Sequence, residues 1–343
     1  MIVIMKPGAT REQVENVVKR IKKEGLDVNI DEGSEHIVIG LKGDTRNVQD
    51  VAFYSYDGVE KAVRISNTYK LTSREFHPGD TVVDVDGVKI GDGNFVTMAG
   101  PCSIEGLDQI RECARIAKAG GAQILRGGAF KPRTSPYAFQ GLEEEGLKYI
   151  RQAADEFDMK VITEVMDESH IEMVAEYSDI LQIGARNMQN YKLLQAVGKT
   201  GKPIGLKRGI AGTIDEWLNA AEYIAISDKS PVIFIERGIR TYETATRNTF
   251  DLSAVPLIKK LSHFPIIVDP SHGTGIWDLV PPMARAGVAA GADGMILEIH
   301  PDPANAWSDG PQSLNEKTYM RMMKEVTIME KAMKEIKALE IGG

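Results

Sequence analysis

Four residues of this chain could together hold a metal ion: Cys102, His272, Glu298 and Asp309. A thiolate, an imidazole and two carboxylates suit one divalent transition ion of borderline softness, such as Mn²⁺, Fe²⁺, Co²⁺ or Zn²⁺. The four share no local spacing motif, so only a fold can gather them. Taken singly, a cysteine or histidine more often serves packing than ligation.

A second set is cationic: Arg126, Lys131, Arg133, Arg186, Lys207, Arg208 and Arg237. Lys207 stands out because it follows the apolar run Ile204-Gly205-Leu206, and burying such a charge is costly unless it is paired. Several cations converging on one place imply a multiply anionic ligand, with two phosphates or a phosphate and a carboxylate. Arginine suits bidentate recognition of such groups and lysine adds a point charge. The glycine-rich turns 126–129 and 271–275 would let backbone amides approach anions. Among the acids, Glu164 and Asp269 are candidates for orienting water or a ligand. Glu236 reads as an ion-pair partner, and Glu143, Glu144 and Glu145 read as a solvated helix face.

These residues fall at the ends of eight short apolar runs after position 94, from 95-FVTMAGPCS-103 to 295-MILEIH-300. Helical patterns such as 108–120 and 213–227 separate the runs. The alternation predicts an α/β fold, a (β/α)₈ TIM barrel whose catalytic face lies at the C-terminal strand ends. On such a barrel Cys102, His272 and Glu298 come from neighbouring strands one, seven and eight. A methionine-bearing stripe over 315–339 reads as core packing.

Residues 1–68 read differently. A strand, a helix over 10–25 capped by Thr10, two strands, a short helix near 46–55 and a last strand at 59–65 give βαββαβ, a small ferredoxin-like α+β domain. Two roles stay open for it, a packing or oligomerisation module and a small-molecule regulatory domain. Residues 69–94 form a linker with a hairpin turning at Asp86-Gly87, placed to plug the barrel bottom. The catalytic barrel then spans 95–343.

The 343 residues carry a net charge of −8, which argues against a general nucleic-acid binder. Two cysteines make no disulfide framework and fit a reducing, cytoplasmic setting. The N-terminal MIVIMKPGAT lacks the pattern of a secretory signal, and no run is long enough for a membrane span.

The segments GPCS (100–103), RGGAFKPRTSP (126–136), QIGARN (182–187), LKRG (206–209), ERG (236–238), DPSH (269–272) and EIHPDP (298–303) closely resemble 3-deoxy-D-arabino-heptulosonate 7-phosphate (DAHP) synthase of type I. SREFHPGDT (73–81) and the small domain resemble the branch with a ferredoxin-like regulatory extension. The resemblance implies condensation of phosphoenolpyruvate with erythrose 4-phosphate, opening the shikimate route to aromatic amino acids. It implies Cys102, His272, Glu298 and Asp309 as the metal set. Arg126, Lys131, Arg186, Lys207 and Arg237 would form the phosphoenolpyruvate site, with Asp269 beside them. Arg133, Thr134 and Ser135 would face the sugar phosphate. Lys131 and Glu164 would move or orient protons and water. A homotetramer and feedback by an aromatic amino acid effector are further implications.

Three rivals are weighed against this reading. 3-Deoxy-D-manno-octulosonate 8-phosphate synthase uses arabinose 5-phosphate, but carries an asparagine-containing loop where this chain has Pro132-Arg133-Thr134. A Schiff-base aldolase acting through Lys207 leaves the metal ligands unexplained. A catalytically dead sensor leaves every retained metal and cation position unexplained.

Overall fold

A computed structural model describes every residue except 34, 35, 44, 46, 47, 64–67, 132–136, 138, 342 and 343. The chain divides into two compact units: Met1–Asp80 with Leu261–His263, and Thr81–Lys260 with Phe264–Gly343. The division falls inside the 69–94 stretch, so its first part belongs to one unit and its hairpin to the other.

The first unit holds strands β1 (Ile2–Met5), β2 (Asp27–Glu32), β3 (Ile37–Lys42) and β4 (Val59–Val63) in the order β2-β3-β1-β4, all antiparallel. That order is the ferredoxin-like one. Helix α1 (Arg11–Lys23) starts at Thr10, whose side chain accepts from Gln13 N while Gln13 closes a capping box. Its apolar stripe of Val14, Val17 and Ile21 is buried against the sheet, with Val18 partly so. The helix expected near 46–55 is reduced, among the described residues, to one 3₁₀ turn at Asp50–Phe53. The other sheet face is covered by Phe76, whose ring lies where a side chain at Gly40 would stand, 2.0 Å from an added Cβ.

The second unit is a closed parallel barrel of β7 (Val96–Gly100), β8 (Ile124–Arg126), β9 (Lys160–Val165), β10 (Ile180–Ile183), β11 (Ile204–Lys207), β12 (Val232–Glu236), β13 (Ile266–Val268) and β14 (Gly294–Glu298). Strand β14 pairs with β7 from Gly294↔Val96 to Glu298↔Gly100, which closes the ring. Helices cover the outside, so the strands are buried on both faces and read as continuous apolar runs. The hairpin β5 (Val83–Val85) and β6 (Val88–Ile90) turns at Asp86-Gly87 and buries Val83, Val85 and Ile90 in one cluster with Val96, Ile124, Ile162, Ile180 and Ile267. It plugs the barrel floor.

Successive strand side chains alternate faces, so inward positions recur every second residue. Ile124, Ile162, Ile267 and Ile296 belong to the buried interior cluster. Two residues further along their strands stand Arg126, Glu164, Asp269 and Glu298. Gly205 leaves room where β11 is tightest, an added Cβ lying 3.1 Å from Ile235 and 3.2 Å from Ile162. Lys207 follows it on the same face.

The 26-residue C-terminal helix (Glu316–Ile341) buries Tyr319, Met322, Met323 and Val326, and Tyr319 fills the space that Gly120 leaves open. Beyond Val326 the expected core stripe thins, with Met329 and Met333 half-buried. Ile336 is 46% exposed and Leu339 is 77% exposed.

Candidate active site

At the C-terminal face of the barrel, Cys102, Glu298 and Asp309 bring one ligand atom each within 4.8 Å of one another. Glu298 ends β14, and Cys102 lies two residues past β7. Asp309 is swung in by a left-handed backbone (φ 52°), a conformation few non-glycine residues adopt. Its Oδ2 lies 3.3 Å from the Cys102 Sγ. His272, on the short helix Pro270–Thr274, places Nε2 3.5 Å from Glu298 Oε1 and Nδ1 2.8 Å from Asp269 Oδ2. His272 is not one of that mutually close three, but it adjoins them through Glu298.

The electrostatics suit a cation there. Burial pushes the Cys102 thiol up to about 11, and the Glu298 carboxylate beside it adds to the rise. Burial also pushes Glu298 and Asp309 up. For Glu298, His272 and Arg126 overcome this, and for Asp309, Arg247 and His272 do, so both end below the ordinary carboxylate range. Two carboxylates and a thiol crowded together form a donor set that a divalent ion would neutralise. Burial pulls the His272 imidazole below its ordinary value, and the nearby Asp269 opposes that shift. With Nδ1 turned to a carboxylate, Nε2 is the nitrogen left for ligation, an arrangement common at metal-binding histidines. The residues fit a metal of mixed sulfur, nitrogen and oxygen preference.

Asp269 is almost fully enclosed. Its Oδ2 meets Lys207 Nζ at 2.8 Å as well as His272, and its Oδ1 accepts from His272 N at 3.0 Å. Burial would raise its carboxyl, but His272 and Lys207 hold it well below the usual range. Arg126 is equally enclosed, donating Nη1 to Glu298 Oε1 at 2.9 Å and to the Pro101 carbonyl at 2.8 Å.

Beside the donor set opens a cavity of about 230 Å³ whose wall includes Lys131, Arg186, Lys207, Arg237, His272 and Asp309. Glu164 also lines it, in the room left by Gly184, where an added Cβ would lie 2.0 Å from Glu164 Oε1. Lys131 stands on the border, with Nζ 3.1 Å from Cys102 Sγ and 2.9 Å from the Cys102 carbonyl. Arg237 is buried with Nε lacking a hydrogen-bond partner. Burial pulls its guanidinium below the ordinary arginine value, and Arg247 and Arg186 add to that against Asp269. A buried, unpartnered donor among repelling cations marks a place for an anion.

Two of the expected substrate residues, Arg126 and Asp269, stand behind this wall rather than on it. Arg133, Thr134 and Ser135 lie outside the described residues. Arg208 turns the other way from Lys207. It pairs with Glu236 at 3.1 Å and Asp251 at 2.7 Å, so it and Glu236 hold the barrel to its outer layer. Sequence reasoning missed Arg240 and Arg247, which line the cavity from the loop after β12. Their only signal was that they lie in the segment that follows a barrel strand.

Residues 80–335 match the sequence profile of the DAHP synthetase I family. The chain belongs to that family. Residues 1–67 match the DAHP synthase ferredoxin-like domain, so it is an enzyme of the DAHP synthase type carrying that extension. A phospho-2-dehydro-3-deoxyheptonate aldolase of Thermotoga maritima is 52% identical over 326 residues, covering 95% of this chain and 96% of that protein. The crystal structure of a T. maritima DAHP synthase superposes with a TM-score of 0.77, covering 97% of each chain at 52% identity. A 2-dehydro-3-deoxyphosphooctonate aldolase of Leptothrix cholodnii is 30% identical over 281 residues, 74% of this chain and 97% of that one. This DAHP synthase thus shares its barrel with the octulosonate enzymes and its small domain with the heptulosonate branch.

Proposed function

We propose that this enzyme condenses phosphoenolpyruvate with D-erythrose 4-phosphate and water to give DAHP and phosphate, and that it requires one divalent metal ion. The observation that carries this reading is the juxtaposition of a cation-walled cavity with a thiol, imidazole and carboxylate donor set.

Cys102, His272, Glu298 and Asp309 would hold the ion, which supplies Lewis acidity beside an aldehyde oxygen. Arg186, Lys207 and Arg237 bind the enol phosphate and carboxylate, and Arg126 supports them from behind by fixing Glu298. Arg133, Thr134 and Ser135 receive the sugar phosphate. With both substrates fixed, C3 of the enol attacks the aldehyde carbon and a carbon–carbon bond forms. Lys131, at the border of cavity and donor set, protonates the developing alkoxide. Positive charge develops at C2, where a water held by Glu164 adds and gives up a proton. The C2–O bond to phosphate then breaks, and the cations stabilise the departing dianion.

The small domain is read as the receptor for an aromatic amino acid that inhibits the barrel. The enzyme is read as a cytoplasmic homotetramer that binds neither nucleic acid nor membrane. Among the described residues no helix is long and apolar enough to cross a membrane.

Lys207 as a Schiff-base amine is disfavoured because its Nζ is already bound to the buried Asp269. A coupled phosphate-release assay tests the main reading. Erythrose 4-phosphate should turn over well ahead of arabinose 5-phosphate, and a chelator should stop the reaction. Preference for the pentose, or full rate in a rigorously metal-free preparation, overturns it.

A further inference from the structure

We infer that Arg247 and Gln312 form a positioning relay that ties the anion cavity to the carboxylates of the metal site. The inference rests on the reading of Cys102, His272, Glu298 and Asp309 as ligands. Arg247 Nη1 donates to Gln312 Oε1 at 2.7 Å, and Gln312 Nε2 donates to Glu298 Oε2 at 2.5 Å. The same Arg247 Nη1 lies 3.5 Å from Asp309 Oδ2. One guanidinium therefore touches one carboxylate and orients the other through a buried amide.

Gln312 is 2% exposed and has both ends of its amide used. Glu298 has one oxygen on Arg126 and the other on Gln312, so its plane is fixed from both sides. Arg247 also forms part of the cavity wall and lies near enough to Arg237 to depress it. The loop carrying it is held in place: Arg247 N donates to the Thr274 carbonyl at 2.8 Å, and Gly275 lacks the Cβ that would meet Arg247 Cβ at 2.4 Å. An anion in the cavity and the carboxylates of the metal site thus draw on the same guanidinium. Any such shared group couples the two affinities, and the coupling is reciprocal.

The relay separates two variants. Gln312→Leu cuts it without touching the cavity, whereas Arg247→Gln removes both ends. Mn²⁺ binding is measured by electron paramagnetic resonance, with and without phosphoenolpyruvate, on full-length protein whose fold is checked by circular dichroism. Gln312→Leu should weaken Mn²⁺ binding about tenfold, the scale usual for groups that orient ligands. It should shift the KM for phosphoenolpyruvate less than twofold. Arg247→Gln should weaken Mn²⁺ binding and raise that KM together, and Arg247→Lys should recover part of the KM effect but little of the metal effect. If Gln312→Leu is poorly folded, Gln312→Glu serves, and should alter Mn²⁺ affinity at unchanged KM. Unchanged Mn²⁺ affinity in the Gln312 and Arg247→Gln variants overturns the relay. Failure of the wild type itself to bind Mn²⁺ would instead overturn the metal reading.

Discussion

Asp269 Oδ2 stands 2.8 Å from both Lys207 Nζ and His272 Nδ1. One enclosed carboxylate therefore fixes a residue of the cation-walled cavity and the histidine proposed as a metal ligand. Replacing it by asparagine keeps the volume and removes the charge. Lys207 is then buried without its counter-ion, which costs about 3 to 5 kcal/mol. Loss of the orienting partner should loosen metal binding by about 10- to 100-fold. Denaturant unfolding and Mn²⁺ titration of Asp269→Asn check both numbers. An unfolding midpoint and a metal affinity equal to wild type would show that the carboxylate anchors neither residue.

Metal removal gives a spectroscopic prediction besides an activity one. After chelation and reloading with Co²⁺, a thiolate ligand should add an intense sulfur-to-cobalt absorption in the near ultraviolet. Cys102→Ser should lose that band, while Cys113→Ser should retain it because Cys113 lies outside the donor set. A band that survives in Cys102→Ser places the sulfur ligand elsewhere.

Gly184 exists to make room for Glu164. A methyl group there would sit 2.0 Å from the carboxylate oxygen, and only the side-chain end needs to move. Gly184→Ala should therefore displace Glu164 rather than unfold the barrel. A displacement of about 1 Å in a reacting group can cost on the order of 100-fold in rate. Steady-state kinetics should show kcat lowered to the level of Glu164→Gln, with a near-native melting temperature. Wild-type kcat in Gly184→Ala removes Glu164 from the chemistry.

His263 offers a test of pH dependence in the N-terminal unit. Its Nε2 lies 2.8 Å from the Leu71 carbonyl oxygen, and burial pulls its pKa down to about 4. The folded state resists a proton that the unfolded chain takes up near pH 6.5. The stability tied to this neutral ring is complete above pH 6.5 and is lost as pH falls from there toward 4. At pH 4.5 the loss amounts to about 2.5 kcal/mol. Thermal unfolding between pH 7.5 and 4.5 should fall more steeply for wild type than for His263→Gln. Equal slopes would mean that His263 is not held neutral.

Much of the site was legible because short strands leave little freedom. The inward face repeats every second residue, so an apolar residue at Ile124 or Ile296 fixes where Arg126 or Glu298 must point. The same rule separates Lys207 from Arg208, but the choice between them turns on a one-residue register that apolar runs buried on both faces do not display. Arg240 and Arg247 were hidden for a different reason. A loop has no period, and contacts made only on folding, among them Arg240 N to Ile210 O and Arg247 N to Thr274 O, hold them at the mouth. The sequence likewise names Arg126 and Asp269 as charged strand-end residues without revealing that partners already enclose them. The methionine stripe continues at helical spacing past Val326, but Met329 and Met333 are only half-buried there.

The apolar floor below the charged tier has one more consequence. Ile124, Ile162, Ile267 and Ile296 offer nothing that can solvate an ion, so Arg126, Glu164, Asp269 and Glu298 must be compensated sideways or from above. Arg126 with Glu298 and Lys207 with Asp269 balance sideways. Arg186, Arg237, Arg240 and Arg247 leave a local surplus of positive charge in a chain that is negative overall. On the proposed reading, substrate phosphates would complete this balance above a tier that hydrocarbon seals from below.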